Sequence, residues 1–191
     1  IYESEERLRF VIEANNDGIW DWDIVTSEMY FSPRYYELLG YSSELSFPQS
    51  MVGFQSGIHP DDRDRVGKAL TRHLEKRQPY KIEYQIQHND GQYRWFFARG
   101  QAVWDESGNP LRMVGSLSDI SDRKLALEAL KQSEAKARLL LNSTGEAIYG
   151  LDLDGNCTFC NPACLELLGY EDESDLLGKN MHDLIHHTRV D

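Results

Sequence analysis

The sequence predicts an α+β fold: a five-stranded antiparallel sheet with flanking short helices, then a helical linker and a truncated second unit of the same kind. Three observations carry this reading. From Tyr80 to Gln87 apolar and polar residues alternate with period two, the mark of a half-buried strand. From Ser121 to Leu141 there is no Gly or Pro, and Ala, Leu, Lys and Glu dominate, all good helix formers. A shift of 129 positions lays Ser4–Tyr41 over Ser133–Tyr170 without a gap, with eleven of 38 residues identical, among them the run Glu37–Tyr41 over Glu166–Tyr170. Such a period marks a module used twice.

The elements follow in order. Ser4 to Ala14 reads as an amphipathic helix with Leu8, Val11 and Ile12 on one face. Ile19–Asp23 and Glu28–Phe31 read as a hairpin, and the second copy carries Asp154-Gly155 at its turn. Ser32-Pro33 and Asn161-Pro162 each start a helix, a capping side chain followed by Pro where its missing N–H is harmless. Those helices end at Gly40 and Gly169. His59-Pro60-Asp61-Asp62 opens another helix, with acids in its first turn and Val66, Leu70 and His73 on one face. After strand Tyr80–Gln87, Asn89-Asp90-Gly91 turns the chain into a long aromatic strand, Tyr93–Trp104, apolar on both faces. Asp105–Pro110 is a loop, and Leu111–Asp119 is the last strand. The resulting division is a flanking helix over 1–14, a first domain over 15–120, a connecting helix over 121–141 and the N-terminal part of a second domain over 142–191.

Within the connector, Ile120, Leu127, Glu134 and Leu141 at heptad position a place Arg123, Leu130 and Ala137 at d, a short coiled-coil seam. Lys124/Glu128 and Glu134/Arg138 add opposite charges at i, i+4 spacing. A solvated connecting helix and a dimeric stalk that carries torque both fit this pattern.

Composition narrows the function. A net charge of −12 argues against a nucleic-acid binder, which needs clustered Lys and Arg. No apolar run approaches the ~20 residues of a membrane helix. The three cysteines, Cys157, Cys160 and Cys164, sit within eight residues, which fits a reducing, cytoplasmic setting and no disulfide framework. The second copy stops at Asp191, short of a full unit, so the chain is expected to be a piece of a longer protein, with any anchor lying upstream of residue 1.

The motifs become specific when taken together. Gly-Ile-Trp-Asp-Trp-Asp at 18–23, Tyr-Phe-Ser-Pro at 30–33, Glu-Leu-Leu-Gly-Tyr at 37–41 and His-Pro-Asp-Asp at 59–62 resemble the first half of a PAS domain. Tyr80–Gln87, Asp90-Gly91, Tyr93-Arg94-Trp95, Gly108-Asn109-Pro110, Met113-Val114-Gly115 and Asp119-Ile120-Ser121 resemble its C-terminal, PAC-type half. Residues 133–191 resemble the start of a second PAS domain. The resemblance implies a bacterial-type sensor module, usually dimeric, upstream of a histidine kinase or a cyclic-dinucleotide cyclase or phosphodiesterase in the same parent chain. It also implies that Asp119 and Ser121 anchor the joint between the last strand and a signalling helix; the heptad seam of the connector makes Leu127 and Leu130 the residues expected to carry the signal onward.

Other constellations read more plainly. Cys157-x2-Cys160-x3-Cys164, with His182, His186 and His187 nearby, has metal-like spacing. The repeat lays those cysteines over Glu28, Phe31 and Tyr35, and on a regular strand Cys157 and Cys160 would face opposite ways, so small buried thiols are expected. Asn156-Cys157-x-Phe159 echoes a flavin-adduct motif, but in the wrong element. His73 lies where some PAS domains ligate haem, and a hydrogen-bonded core histidine explains it as well. Asp152-x-Asp154-Gly155 is a turn rather than a calcium loop, and His182-Asp183 lacks the partners of a metal phosphohydrolase. No haem, flavin or metal is expected, and no nucleophile–base set or phosphate loop announces catalysis.

Trp20, Trp22, Tyr35, Leu39, Tyr84, Trp95 and Phe97 are the candidates for a sheet-lined pocket that takes a small apolar or amphipathic ligand; a packed core with no ligand is the other reading. The outer face of the 93–104 strand must be covered by the Ser4–Ala14 helix or a second protomer. The expected function is a non-catalytic sensory and dimerisation module, acting as a homodimer on a downstream output domain. The alternatives are a haem- or flavin-bearing redox or gas sensor and a ligand-free interaction scaffold.

Overall fold

The computed structural model describes residues 16–42 and 51–186, the side chain of His186 excepted. The predicted helix over Ser4–Ala14 and the side chains of His186 and His187 lie outside the described residues. The chain divides into two compact units, Ile1–Leu125 and Ala126–Asp191.

In the first unit β1 (Gly18–Asp23), β2 (Met29–Phe31), β3 (Tyr80–Gln87), β4 (Tyr93–Trp104) and β5 (Pro110–Asp119) form one antiparallel sheet in the order β2-β1-β5-β4-β3. The helices α1 (Pro33–Leu38), α2 (Met51–Gly57) and α3 (Pro60–Lys76) lie between β2 and β3 in sequence. Alternation decides which face is which. Tyr80, Ile82, Tyr84 and Ile86 of β3 are buried, as are Phe96, Ala98 and Ala102 of β4 and Met113 and Leu117 of β5. These residues meet Phe31, Tyr35, Leu39, Ile58 and Val66 in a single core. Helix α3 starts where His59 Nδ1 accepts the Asp61 N–H at 3.3 Å, and it ends at Arg77 in the left-handed region.

Gly100 and Gly115 face each other across β4 and β5, and a Cβ on either would collide with the Trp20 indole. Trp20 therefore lies flat against the sheet over two positions that only Gly can fill. His73 closes the far end of the core. Its Nε2 accepts the Ala102 N–H at 2.9 Å, and its Nδ1 lies 2.5 Å from the Gln78 carbonyl, so Nδ1 carries the proton and donates.

Helix α4 (Ser121–Ser143) is followed by β6 (Tyr149–Leu151), β7 (Cys157–Cys160), α5 (Pro162–Leu168), a 3₁₀ turn (Glu173–Asp175) and α6 (Met181–His186). Among the described residues of the second unit the sheet is two-stranded, β6 against β7. The hairpin turn is set by Asp152, whose Oδ1 accepts the N–H groups of Asp154 and Asn156 and whose Oδ2 accepts from the Asn156 side chain. That carboxylate is fully engaged in its turn.

The repeat also preserves a less obvious joint. Ser32 Oγ accepts the Ile19 N–H at 2.9 Å, and in the second unit Asn161 Oδ1 accepts the Ile148 N–H at the same distance. Asn161 caps α5 as predicted, accepting the Cys164 N–H at 3.0 Å. Ser32 does not cap α1, because its hydroxyl is turned toward Ile19 instead.

One expectation is overturned here. Cys157 and Cys160 do not face opposite ways, since both are buried while Thr158 and Phe159 between them are exposed. Gly150 pairs with Phe159 and Leu151 with Cys157, leaving Thr158 as the extra residue of a bulge. One added residue resets the alternation and turns both thiols inward. They pack with Cys164, Leu176 and Met181 in a small apolar core. Burial pushes the Cys160 thiol up to about 11 and raises that of Cys164.

Candidate functional site

Trp20 and Trp22 of β1, Met29 and Phe31 of β2, Tyr35 of α1, Met51 and Phe54 of α2, Leu70 of α3, Tyr80 and Tyr84 of β3 and Met113 of β5 enclose a cavity of about 30 Å³ on the inner face of the sheet. Of the seven pocket residues expected from the sequence, Trp20, Trp22, Tyr35 and Tyr84 line it. Leu39 is buried in the same core and lines a neighbouring groove of about 320 Å³ with Tyr41, Ile86 and His88.

Trp95 and Phe97 are not in the cavity. Their neighbours Phe96 and Ala98 point inward, so Trp95 and Phe97 stand on the outer face. An apolar strand gives no alternation to say which set of residues is inside; hence the misassignment.

The cavity lining carries no carboxylate, ammonium, guanidinium or imidazole. Burial pushes the Tyr80 phenol up to about 12 and raises Tyr35 and Tyr84 as well, so the lining is uncharged at neutral pH. One group stands out. Trp22 Nε1 is the single buried side-chain nitrogen or oxygen among the described residues with no hydrogen-bond partner. An unpaired buried N–H costs about 1–3 kcal/mol.

A free space of about 30 Å³ holds one or two waters and is far short of an isoalloxazine or a porphyrin. His73 has both ring nitrogens committed to the backbone, leaving none for an iron. Cys157 sits on β7, its thiol 3.3 Å from the Phe159 carbonyl. In this closed geometry these residues do not fit a haem or a flavin.

On the outer face lies the joint with α4. Asp119 Oδ1 accepts the Ser121 N–H at 2.8 Å, and Ser121 Oγ accepts the Trp95 N–H at 3.1 Å. Lys124 Nζ sits 4.7 Å from the centre of the Trp95 ring. Glu83 holds both Arg123 and Lys124, each at 2.5 Å. These two cations, with the Lys124 hydrogen bond foremost, lower the Glu83 carboxyl below its ordinary value. Glu83, Arg123 and Lys124 were missed from the sequence. A signal was present, because two cations at a helix N-terminus oppose the dipole and call for an acid.

Leu127 and Leu130 are 49% and 55% exposed, on a helix with no buried residue. The proposed seam is shorter than its heptads suggest. Ile120 is buried, and Arg123 is bound to Glu83. Glu134, Ala137 and Leu141 line a groove within the second unit together with Phe159, Asn161 and Leu165. Only Leu127 and Leu130 stay uncommitted.

Comparison with known proteins agrees with this architecture. Family models described as the PAS fold match residues 28–117 and 135–191. The chain is 29% identical over 183 residues to the probable diguanylate cyclase DgcE of Escherichia coli, covering 96% of this chain and 16% of that protein. It is 28% identical over 180 residues to the sensor protein FixL of Bradyrhizobium diazoefficiens, covering 94% of this chain and 35% of that protein. The chain thus spans well under two thirds of these relatives. A crystal structure of a sensory box histidine kinase/response regulator from Burkholderia thailandensis superposes with a TM-score of 0.61 at 39% identity, covering 69% of this chain and 98% of that one.

Proposed function

This chain belongs to the PAS fold family and is a sensory input module, and we propose that it couples occupancy of the β-sheet cavity to the start of helix α4. The observation that carries this is the two-sidedness of β3. On its inner face Tyr80 and Tyr84 line the cavity, and on its outer face Glu83, next to Tyr84, grips Arg123 and Lys124. A ligand that shifts Tyr84 must move Glu83, because alternate side chains share one backbone.

In this reading Asp119 and Ser121 keep the helix start in register, and Leu127 and Leu130 supply the contact of a homodimeric stalk. The flanking segment 1–14, the sensor 15–120, the connector 121–141 and the second sensor 142–191 are its working parts. The output domain lies in the same parent chain, a histidine kinase or a cyclic-dinucleotide enzyme, in line with the kinds of protein the chain resembles. A cytoplasmic setting fits three free thiols and the absence, among the described residues, of any helix long and apolar enough to cross a membrane.

The test is made in the full-length parent. Glu83→Gln and Ser121→Ala are expected to change the basal output and its response, with the circular dichroism of the sensor unchanged. Output identical to wild type in both variants would remove the joint from the signalling path.

A further inference from the structure

We propose that the cavity takes a small uncharged ligand bearing one hydrogen-bond acceptor, which pairs with Trp22 Nε1, and that Phe54 is the wall residue that yields to admit it. This rests on the reading of the cavity as the sensing site.

Three features specify the ligand. The lining is aromatic and aliphatic with no ionised group, which disfavours any charged ligand that would have to shed its water there. The indole N–H can only donate, and Trp22 lines the cavity with that donor buried and unpaired. A carbonyl, ether or similar oxygen is the complement. A purely apolar molecule would leave the donor unpaired, so the site discriminates between molecules of the same shape.

The route is specified by Phe54. It lines both the 30 Å³ cavity and the 320 Å³ groove beside it, so its ring is the partition between them. With the partition displaced, the joined space reaches the size of ordinary small-molecule sites, about 300 Å³ and upward. Phe54 is also carried on the weakest wall. Helix α2 has seven residues, two of them Gly, and buries none of them fully. Glycine is the poorest helix former after proline, and an element with little buried surface opens locally at low cost. The Phe54 ring meets Tyr84 edge-on at 6.4 Å, so its movement acts on β3 first.

The probes are a matched pair, cyclohexanone and methylenecyclohexane, which differ in one oxygen against one CH₂. The chain has four tryptophans, so ¹⁵N-labelled protein gives four indole N–H signals, and Trp22→Phe identifies the one that belongs to Trp22. Cyclohexanone is expected to move that signal downfield saturably and to bind about five- to tenfold more tightly than its hydrocarbon partner, the worth of one net hydrogen bond. Trp22→Phe should equalise the two probes, and Phe54→Ala should tighten both.

Equal affinity of the two probes for the wild-type protein would overturn the acceptor while leaving the cavity in place. Preferential binding of tetramethylammonium would overturn the uncharged ligand. No saturable shift with any probe, in wild type and in Phe54→Ala alike, would overturn both the inference and the cavity reading beneath it. The wild-type comparison decides even if Trp22→Phe fails to fold.

Discussion

At the residue scale, His73 shows how a side chain that looks functional can be fully employed in structure. It bridges α3 and β4, accepting from Ala102 and donating to Gln78, 99% buried from solvent. His73→Ala leaves the buried Ala102 N–H and the Gln78 carbonyl without this partner and opens a void, so it should lower unfolding free energy by about 3 kcal/mol in a urea titration. Gly115 makes the complementary point, since its missing side chain is filled by Trp20. Gly115→Ala drives a methyl into that indole and the Arg99 carbonyl, and overpacking of this kind costs about 1–3 kcal/mol. The thiols give a chemical readout. With Cys160 pushed up to about 11, its thiolate is scarce at pH 8 compared with a free thiol near 8.5. Alkylation of Cys160 by iodoacetamide in the native protein should be at least about a hundredfold slower than in the unfolded chain. It should accelerate as pH rises toward 11, and equal rates would contradict the buried bulge geometry.

At the scale of elements, the contact between β3 and the first turn of α4 is electrostatic, which makes it sensitive to pH. The Glu83 carboxyl is lowered in the folded chain, so its contribution is present in full above the ordinary carboxylate range. It is lost as pH falls through the lowered folded value, where Glu83 takes up a proton and lets go of Arg123 and Lys124. Hydrogen exchange in the α4 first turn should therefore speed up below about pH 4, and Glu83→Gln should abolish that dependence. The pair is partly exposed, so the stability at stake is under about 1 kcal/mol, and the effect belongs to helix position rather than to folding. A pH-independent exchange profile in the wild type would exclude Glu83 as the tether.

At the scale of the whole molecule, the question is what α4 does beyond the first unit. Its exposed Leu127 and Leu130 sit one turn apart and are the members of the heptad seam left without a partner inside either unit. Replacing both with Glu should turn a dimer into a monomer in sedimentation velocity without altering the sheet. An unchanged oligomeric mass would leave α4 as a solvated connector. The second unit invites a related test. Among the described residues β6 pairs only with β7, and Tyr149 and Leu151 on it are exposed, so its other edge is open to a further strand.

The sequence by itself determined the order and kind of the strands and of the helices α1, α3, α4 and α5, because periodicity and turn chemistry are local; the short helices α2 and α6 carry no such signal. The alternation at 80–87, the turn at Asp90-Gly91 and the Pro and Gly bounds of the two repeated helices all state their structure within a few residues. It also exposed the duplication, which extends to the joints at Ser32 and Asn161. Tertiary structure alone decided the rest. Which face of the 93–104 strand looks inward depends on partners distant in sequence, and that placed Trp95 and Phe97 on the outer face, Trp95 beneath Lys124 of α4, instead of in the cavity. A single bulged residue turned two cysteines the same way, which no strict period of two could foresee. The unpaired Trp22 donor and the Phe54 partition exist only once strands and helices close around one small space, because an unmet hydrogen bond and a void belong to an assembly of elements.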